Sequence, residues 1–292
     1  MRNTRFYCWL AVCLGVLGLT SSAQALSVAI MPLWHRVALA DCVVIGKVSA
    51  IEDKLVMASV APNGPMEEHR VAVLKLDKGF GTAKGLTHVR IGATIPKPPQ
   101  PGVPQIAGIE MTYPVNLAVG QEFCLILQPH HKETFFVAPR SYEAIRKQNN
   151  ANFDKEAALI ERCFKLLENP DASLKSKDAE DRLLTAGMLL TRYKMTGRGV
   201  RAGEPAQKTE PIDATQNKLI LEALASADWT KRDPAAFISP AQVFGYLQLT
   251  DKDGWKQPQN FNEMPAAAQK WLKDHAATHR IQRFVPEKPN KQ

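Results

Sequence analysis

Two histidines near the end of the chain have a spacing that suits metal binding. His275 and His279 stand four residues apart in a segment with helical periodicity, so both rings would lie on one face and could share a metal ion. The hydrolytic motif with this spacing also needs a glutamate directly after the first histidine, and Ala276 occupies that position. The pair is therefore a candidate metal site without a hydrolytic base. The alternative is two partly exposed histidines with no ligand role.

Two other polar clusters fit a metal less well. His130 and His131 are adjacent at the predicted end of a strand, where consecutive side chains point to opposite faces, so they are not expected to share an ion. Residues 251–254 (DKDG) have the composition of a calcium loop. In the EF-hand frame, however, the first and twelfth ligand positions fall on Leu249 and Asn260, which carry no carboxylate. We expect residues 251–254 to form a turn.

The sequence gives little support for an enzyme with a nucleophilic residue or a phosphate-binding loop. Cys42, Cys124 and Cys163 lie in apolar runs, where burial raises a thiol pKa and lowers its reactivity. The sequence has no Gly-x-Ser-x-Gly elbow, and residues 79–81 (GFG) lack the third spaced glycine of a phosphate-binding loop. We therefore assign no catalytic residue and no cofactor.

The first 25 residues predict export. Arg2 and Arg5 precede an apolar run over residues 6–19, and residues 23–25 (AQA) place small side chains where a signal peptidase cleaves. This run is shorter than the roughly 20 apolar residues that a membrane-spanning helix needs, so we expect cleavage, with retention as an anchor as the alternative. No later segment predicts a membrane span. The expected location is secreted or periplasmic.

Export changes how the cysteines are interpreted. Cleavage would remove Cys8 and Cys13 and leave three cysteines in an oxidising compartment. Cys42 and Cys124 lie in two strand-like runs that could be neighbours, so they are the candidate disulfide. The alternative is that all three remaining cysteines are small buried hydrophobic residues.

The charge balance is moderately basic. The 37 Lys and Arg residues exceed the 29 Asp and Glu residues by eight, and loss of Arg2 and Arg5 would leave a surplus of six. No dense basic run accompanies this surplus. An envelope protein or a polyanionic glycan therefore remains open as a partner, whereas nucleic acid is not expected for an exported protein.

The sequence changes in character near residues 140–155. Before this point, short runs rich in Val, Ile and Leu alternate with Gly and Pro, and we predict strands over residues 41–51, 69–76, 86–91, 106–113, 121–128 and 134–137. Short strands in this number predict a small barrel or sandwich, and closure would remove exposed sheet edges. Residues 95–104 contain five prolines, which predicts an extended polyproline-like loop.

Helical spacing dominates the second half. Apolar periodicity predicts helices that start at residues 153, 178, 213, 239 and 265, the last ending near residue 279. Asp213 with Gln216, and Ser239 with Gln242, have the pattern of N-terminal capping boxes. The predicted organisation is a signal peptide (1–25), a β-barrel domain (26–140), a linker (141–152), an α-helical domain (153–285) and a disordered tail (286–292).

Two runs in the first half carry a family resemblance. Residues 40–48 (ADCVVIGKV) and 119–127 (VGQEFCLIL) resemble the netrin-like and metalloproteinase-inhibitor-like OB-fold modules of secreted bacterial proteins. The resemblance covers about residues 35–140 and implies a small closed barrel. Inhibitors of that family chelate a target zinc ion through an N-terminal cysteine. The expected mature chain begins at Leu26, so an inhibitory role is not implied.

The sequence thus predicts an α+β protein, with a small OB-like closed β-barrel followed by an irregular α-helical domain. The expected function is that of an exported, non-enzymatic binding or structural protein of the cell envelope. One alternative is a metal- or cysteine-dependent enzyme with a site between the two domains, for which the residues to follow are His35, His130, His131, His275 and His279. The other is a polyanion or glycan binder that uses the exposed face of the barrel.

Overall fold

The computed structural model describes residues 31–59, 64–95, 117–138, 144–195, 208–230 and 238–285. The predicted signal peptide, the proline-rich loop beyond residue 95, the strand predicted at 106–113 and the predicted tail lie outside these ranges. All described residues belong to one compact unit. Helices and strands are both well represented, which confirms the α+β class.

A seven-stranded sheet occupies the first half of the described chain, directly after helix α1 (Leu33–Leu39). Its strands are β1 (Cys42–Ile51), β2 (Val56–Ser59), β3 (Met66–Gly81), β4 (His88–Thr94), β5 (Glu122–Pro129), β6 (Phe136–Val137) and β7 (Ala144–Arg146). The pairings run β1–β3–β4–β6–β5 and return to β1, so five strands form a closed ring. Within the ring β4 and β6 are parallel, and the other pairs are antiparallel.

Strand β5 contributes to two hydrophobic clusters because its residues alternate between two apolar faces. Phe123, Leu125 and Leu127 pack with residues of β1, β3 and β4. Cys124 and Ile126 pack with the helices of the second half. Side chains alternate along a strand, so this pattern follows directly from an apolar run of five residues. The helices therefore share a hydrophobic core with one face of the sheet.

The sheet differs from the prediction in two places. Strand β2 was not predicted, and it pairs only with β3, which is longer than the predicted residues 69–76. Strand β7 lies inside the predicted linker and pairs with β5, with Ile145 only 8% exposed. Both short strands are defined by pairing with a longer strand, β2 with β3 and β7 with β5, so their own composition carries little signal.

Six helices follow the sheet in the described part of the chain. They are α2 (Phe153–Glu168), α3 (Pro170–Ser173), α4 (Ala179–Lys194), α5 (Ala214–Ala225), α6 (Pro240–Gly245) and α7 (Met264–His275). A two-stranded antiparallel sheet of β8 (Thr209–Pro211) and β9 (Gln282–Phe284) and two 3₁₀ turns, Asp251–Asp253 and Phe261–Glu263, complete the described elements. The five predicted helices are present, although α7 ends four residues earlier than expected. None of the described helices combines the length and apolar character needed to cross a bilayer.

The N-cap hydrogen bonds predicted for Asp213 and Ser239 form, but the reciprocal hydrogen bond of a capping box does not form at Asp213. Asp213 accepts hydrogen bonds from the backbone N–H groups of Thr215 and Gln216, and Ser239 accepts one from that of Gln242. The Gln216 side chain does not complete a capping box, because its amide donates to Asp171 at 2.8 Å instead. The caps thus fix where α5 and α6 begin.

Helix α4 is the centre of the helical part. Residues 183–191 are all buried. A Cβ atom added at Gly187 would come within 3.1–3.2 Å of Val243, Ile238 and Trp34, so α4 lies close to α1 and α6 at this point. The C-terminal end of α4 leads to the cleft described below.

Candidate functional site

A cleft of about 790 Å³ lies in the helical part of the protein. Four segments that are distant in sequence line it: the end of α4, strand β8, residues 247–254, and residues 275–284, which run from the end of α7 into β9. Its lining includes Lys194, Asp253, Gly254, His275, His279 and Phe284. We call this feature the C-terminal cleft.

Trp271 on α7 fixes one wall of the cleft. The side chain is buried, and its indole N–H donates a hydrogen bond of 2.8 Å to the backbone carbonyl of Asp253. The His275 ring stacks on the indole with a centroid distance of 5.4 Å, and the His279 ring meets it edge-on at 5.1 Å. One buried indole thus positions both histidines and the turn opposite them.

Gly254 allows that turn to approach His275 closely. Its φ of 71° lies in the left-handed region, where residues with a Cβ are disfavoured. A Cβ atom at this position would lie 2.9 Å from Cε1 of His275, closer than van der Waals contact permits. The predicted turn over residues 251–254 is confirmed as a 3₁₀ turn that ends at this glycine.

Asn217 on α5 holds the segment that carries His279. It is 1% exposed, and its amide nitrogen donates to the backbone carbonyl of His279 at 3.0 Å. Its amide oxygen accepts a hydrogen bond of 2.8 Å from the backbone N–H of Ile281. A buried side chain with both ends bonded to one segment keeps the chain after α7 against α5.

The pKa values of Asp253 and His279 are both lowered in the cleft. Oδ2 of Asp253 accepts hydrogen bonds of 2.9 Å from the backbone N–H and the hydroxyl of Thr250. Burial raises the pKa of Asp253, but these hydrogen bonds outweigh it and the net pKa is lowered. Burial lowers the pKa of His279, against the opposing effect of Asp253, whose Oδ1 lies 3.8 Å from Nδ1 of His279. An ionised carboxylate therefore faces a largely neutral imidazole.

Lys194 brings a partly buried ammonium group to the cleft. Burial lowers its pKa, and the charge of Asp253 partly offsets this effect. Within the part of the chain that the structure describes, no carboxylate lies within ion-pairing distance of this ammonium. Lys252, Arg280 and Asp251 also line the cleft and are exposed.

The structure brings both predicted metal candidates, His275 and His279, to this cleft. Across residues 31–285, the described positions contain no group of three His, Cys, Asp or Glu side chains arranged to hold a metal ion. The two imidazoles thus meet in one cavity, and these positions supply no third ligand. The metal assignment stays a prediction.

The other histidines lie elsewhere. His35 is buried, with its ring stacked on Tyr246 at 5.1 Å and its Nε2 3.1 Å from the sulfur of Met195. The expectation that His130 and His131 point apart is wrong, since their rings stack at 4.4 Å. The physical reason is that β5 ends at Pro129, so the two residues belong to a turn.

The two ring nitrogens of His130 bond to backbone groups of β2 and of the turn that follows His130. Nε2 donates to the carbonyl of Ser59 at 2.8 Å, and Nδ1 accepts from the backbone N–H groups of Lys132 and Glu133 at 3.1 and 2.9 Å. Because both nitrogens are occupied, the structure gives His130 a structural role.

The candidate disulfide between Cys42 and Cys124 is wrong. The structure has free thiols at Cys42, Cys124 and Cys163, and all three are buried. The strands of Cys42 and Cys124 are neighbours as predicted, but Cys124 pairs with Ile45, three residues or about 10 Å along the strand from Cys42. An odd offset also places the two side chains on opposite faces, in different hydrophobic clusters.

Sequence reasoning missed several residues that build the cleft. Lys194, Asn217 and Trp271 come from three separate helices, and no spacing links them. Gly254 was placed in the turn predicted over residues 251–254, but that pattern marks the turn and not the cleft.

Comparisons of this chain with protein-family models, with curated proteins and with solved structures found no match.

Proposed function

We propose that this chain is an exported, non-enzymatic binding protein whose ligand site is the C-terminal cleft. The observation that carries the proposal is the cleft itself. Its volume of about 790 Å³ is typical of small-molecule sites, which commonly measure roughly 300–1,000 Å³. Its walls are held by the buried side chains of Trp271 and Asn217, so the site exists before a ligand arrives.

Binding fits the chemistry of the cleft better than catalysis. Asp253 is tied to Thr250, and its contact with His279 is a long 3.8 Å, which is a weak arrangement for proton transfer. A cysteine-dependent enzyme has less support, because burial raises the pKa of each of the three thiols to about 12. A metal-dependent enzyme would need a third ligand beyond His275 and His279.

The ring of strands supports an OB-like closed barrel as the scaffold. Five strands close on themselves, and β4 pairs in parallel with β6, so the order of strands in the ring differs from their order along the chain. A five-stranded Greek-key barrel has this character. The netrin-like resemblance of residues 40–48 and 119–127 favours the same scaffold.

Export remains part of the proposal on the strength of residues 1–25. Expression of the full chain in its natural host, followed by N-terminal sequencing of the envelope fraction, tests it. A mature end at Leu26 supports cleavage, whereas an intact Met1 in the cytoplasmic fraction contradicts export.

A fragment library screened by protein-observed NMR tests the binding site. We expect saturable shifts at cleft residues, loss of these shifts in His275→Ala, and no change in His88→Ala, which removes an exposed histidine on β4. Far-UV circular dichroism checks that both variants are folded. A library without saturable shifts at the cleft contradicts the site, and turnover of any fragment contradicts a non-enzymatic role.

A further inference from the structure

We propose that the C-terminal cleft selects small molecules that carry a carboxylate or phosphate group on an apolar body, with Lys194 as the main anion-binding residue. This inference rests on the proposed function of the cleft as a binding site. It is carried by the distribution of charge and apolar surface around the cavity.

One of the two acidic side chains of the cleft is already engaged within the protein. Oδ2 of Asp253 already accepts two hydrogen bonds from Thr250, and Oδ1 faces His279. Asp251 lies at the exposed edge of the same turn. Three basic side chains, Lys194, Lys252 and Arg280, line the cavity against these two acids, so its formal balance is positive even with neutral histidines.

Lys194 is the most informative of the basic residues. Its ammonium is partly withdrawn from water, and the described acidic residues leave it without a direct ion pair. Withdrawal of a charge from water is unfavourable unless an opposite charge or hydrogen bonds compensate. An anionic group of a ligand would supply this compensation through a charge-assisted hydrogen bond.

Arg280 is oriented next to the same cavity. One guanidinium N–H donates to the backbone carbonyl of His279 at 3.1 Å, which holds the side chain near the two histidines. The planar guanidinium suits two-point recognition of a carboxylate or a phosphate. His275 and His279 would add positive charge on this side of the cleft if they became protonated.

The apolar part of the ligand is inferred from Phe284 in the cleft lining. Phe284 of β9 is partly exposed to the cleft, and Leu247 is buried beneath it. The exposed part of Phe284 offers a surface for an aromatic or aliphatic body. A free inorganic anion would leave that surface uncovered.

Four probes of similar size and different charge test the inference on the purified full chain. Benzoate and phenyl phosphate carry the two anionic groups, benzamide is neutral, and benzylammonium is cationic. Binding is measured by calorimetry near neutral pH at low salt, and NMR shifts of cleft residues locate each probe. We expect both anions to bind about tenfold or more tightly than benzamide and benzylammonium, and to weaken as salt is added.

Variants at Lys194 provide the matched controls. Lys194→Met keeps the aliphatic stem and is expected to weaken anion binding by about tenfold or more, the effect of losing one hydrogen bond to a charged group. Lys194→Arg is expected to retain most of the affinity. Lys54→Met removes an exposed lysine between β1 and β2 and is expected to leave binding unchanged.

The outcomes separate this inference from the proposed function. Benzamide or benzylammonium binding at the cleft as tightly as benzoate overturns the anion selectivity while the binding site stands. Unchanged anion affinity in Lys194→Met overturns the role of this lysine. Absence of cleft shifts with all four probes, when the fragment library does give saturable cleft shifts, also overturns the inference. Absence of cleft shifts in both experiments overturns the proposed function itself.

Discussion

Replacement of Asn217 by alanine should loosen the chain segment that carries His279. The side chain is buried, and it is the hydrogen-bond acceptor of the backbone N–H of Ile281 in a buried setting. It also donates to the carbonyl of His279, which receives a second hydrogen bond from Arg280. The N–H of Ile281 therefore loses its acceptor in Asn217→Ala, whereas the carbonyl of His279 keeps one donor.

The expected loss of stability follows from these two hydrogen bonds. A buried group left without a partner costs about 1–3 kcal/mol, and an ordinary hydrogen bond contributes about 0.5–1.5 kcal/mol. Together they predict that Asn217→Ala lowers the free energy of unfolding by about 2–4 kcal/mol. Asn152→Ala is the matched control, because Asn152 is exposed and makes no side-chain cap at the start of α2; its effect should stay within about 0.5 kcal/mol.

Urea unfolding of both variants measures the difference. Tryptophan fluorescence follows the five indoles of the chain, among them Trp271, which contacts His279, and circular dichroism follows the helices. NMR of the folded variant should show the largest shifts at residues 279–281. A loss below about 0.5 kcal/mol with an unchanged dependence on urea would refute the idea that Asn217 holds this segment.

Three further predictions concern Gly254, His279 and the cysteines. Gly254→Ala should destabilise the protein by about 1–2 kcal/mol because φ at this position is positive, and it should shift the NMR signals of His275. Gly245→Ala is the control and should not destabilise the protein, since an added Cβ there meets nothing within 4 Å. Equal urea midpoints for the two variants would contradict this prediction. Burial lowers the pKa of His279 below its usual 6.5, so the folded state binds fewer protons than the unfolded state. The stability contributed above pH 6.5 is therefore lost as the pH falls from 6.5 through the lower pKa of the folded state. Urea midpoints measured between about pH 7 and 5 should therefore fall less in His279→Gln than in the unmodified chain, and parallel profiles would show that the histidine does not titrate in this way. Burial raises the pKa of the thiols of Cys42, Cys124 and Cys163 to about 12, so they should react with a disulfide reagent only after urea unfolds the protein. Rapid labelling of any of the three in the folded chain would disprove their burial.

Local sequence signals predicted much of the fold. Helix starts at Asp213 and Ser239 were identified because a cap needs only one polar side chain and a nearby backbone N–H. Strands β1 and β5 were predicted because their apolar, β-branched runs are long. Strand β7 was missed because its three residues form a strand only through pairing with β5.

The cleft could be predicted only in part. The four-residue spacing of His275 and His279 predicted a shared metal ion; both residues line the cleft, and the metal ion stays a prediction. The wall opposite them depends on a hydrogen bond between Trp271 and Asp253, 18 residues apart, and Lys194 comes from a different helix. Contacts of this kind arise from packing between elements, which the order of residues along the chain does not specify.

The two apolar faces of β5 have a consequence for how this strand finds its place. In a strand with one polar face, a slip by one residue moves polar side chains into the core and is rejected on that account. In β5 a slip would exchange Phe123 and Leu125 for Cys124 and Ile126, and both sets are apolar. Polarity therefore gives no protection against misalignment. The register of β5 must instead be selected by side-chain size on each face and by the strands that pair with both of its edges. The alignment of β5 is therefore settled only when β1, β6 and β7 are in place.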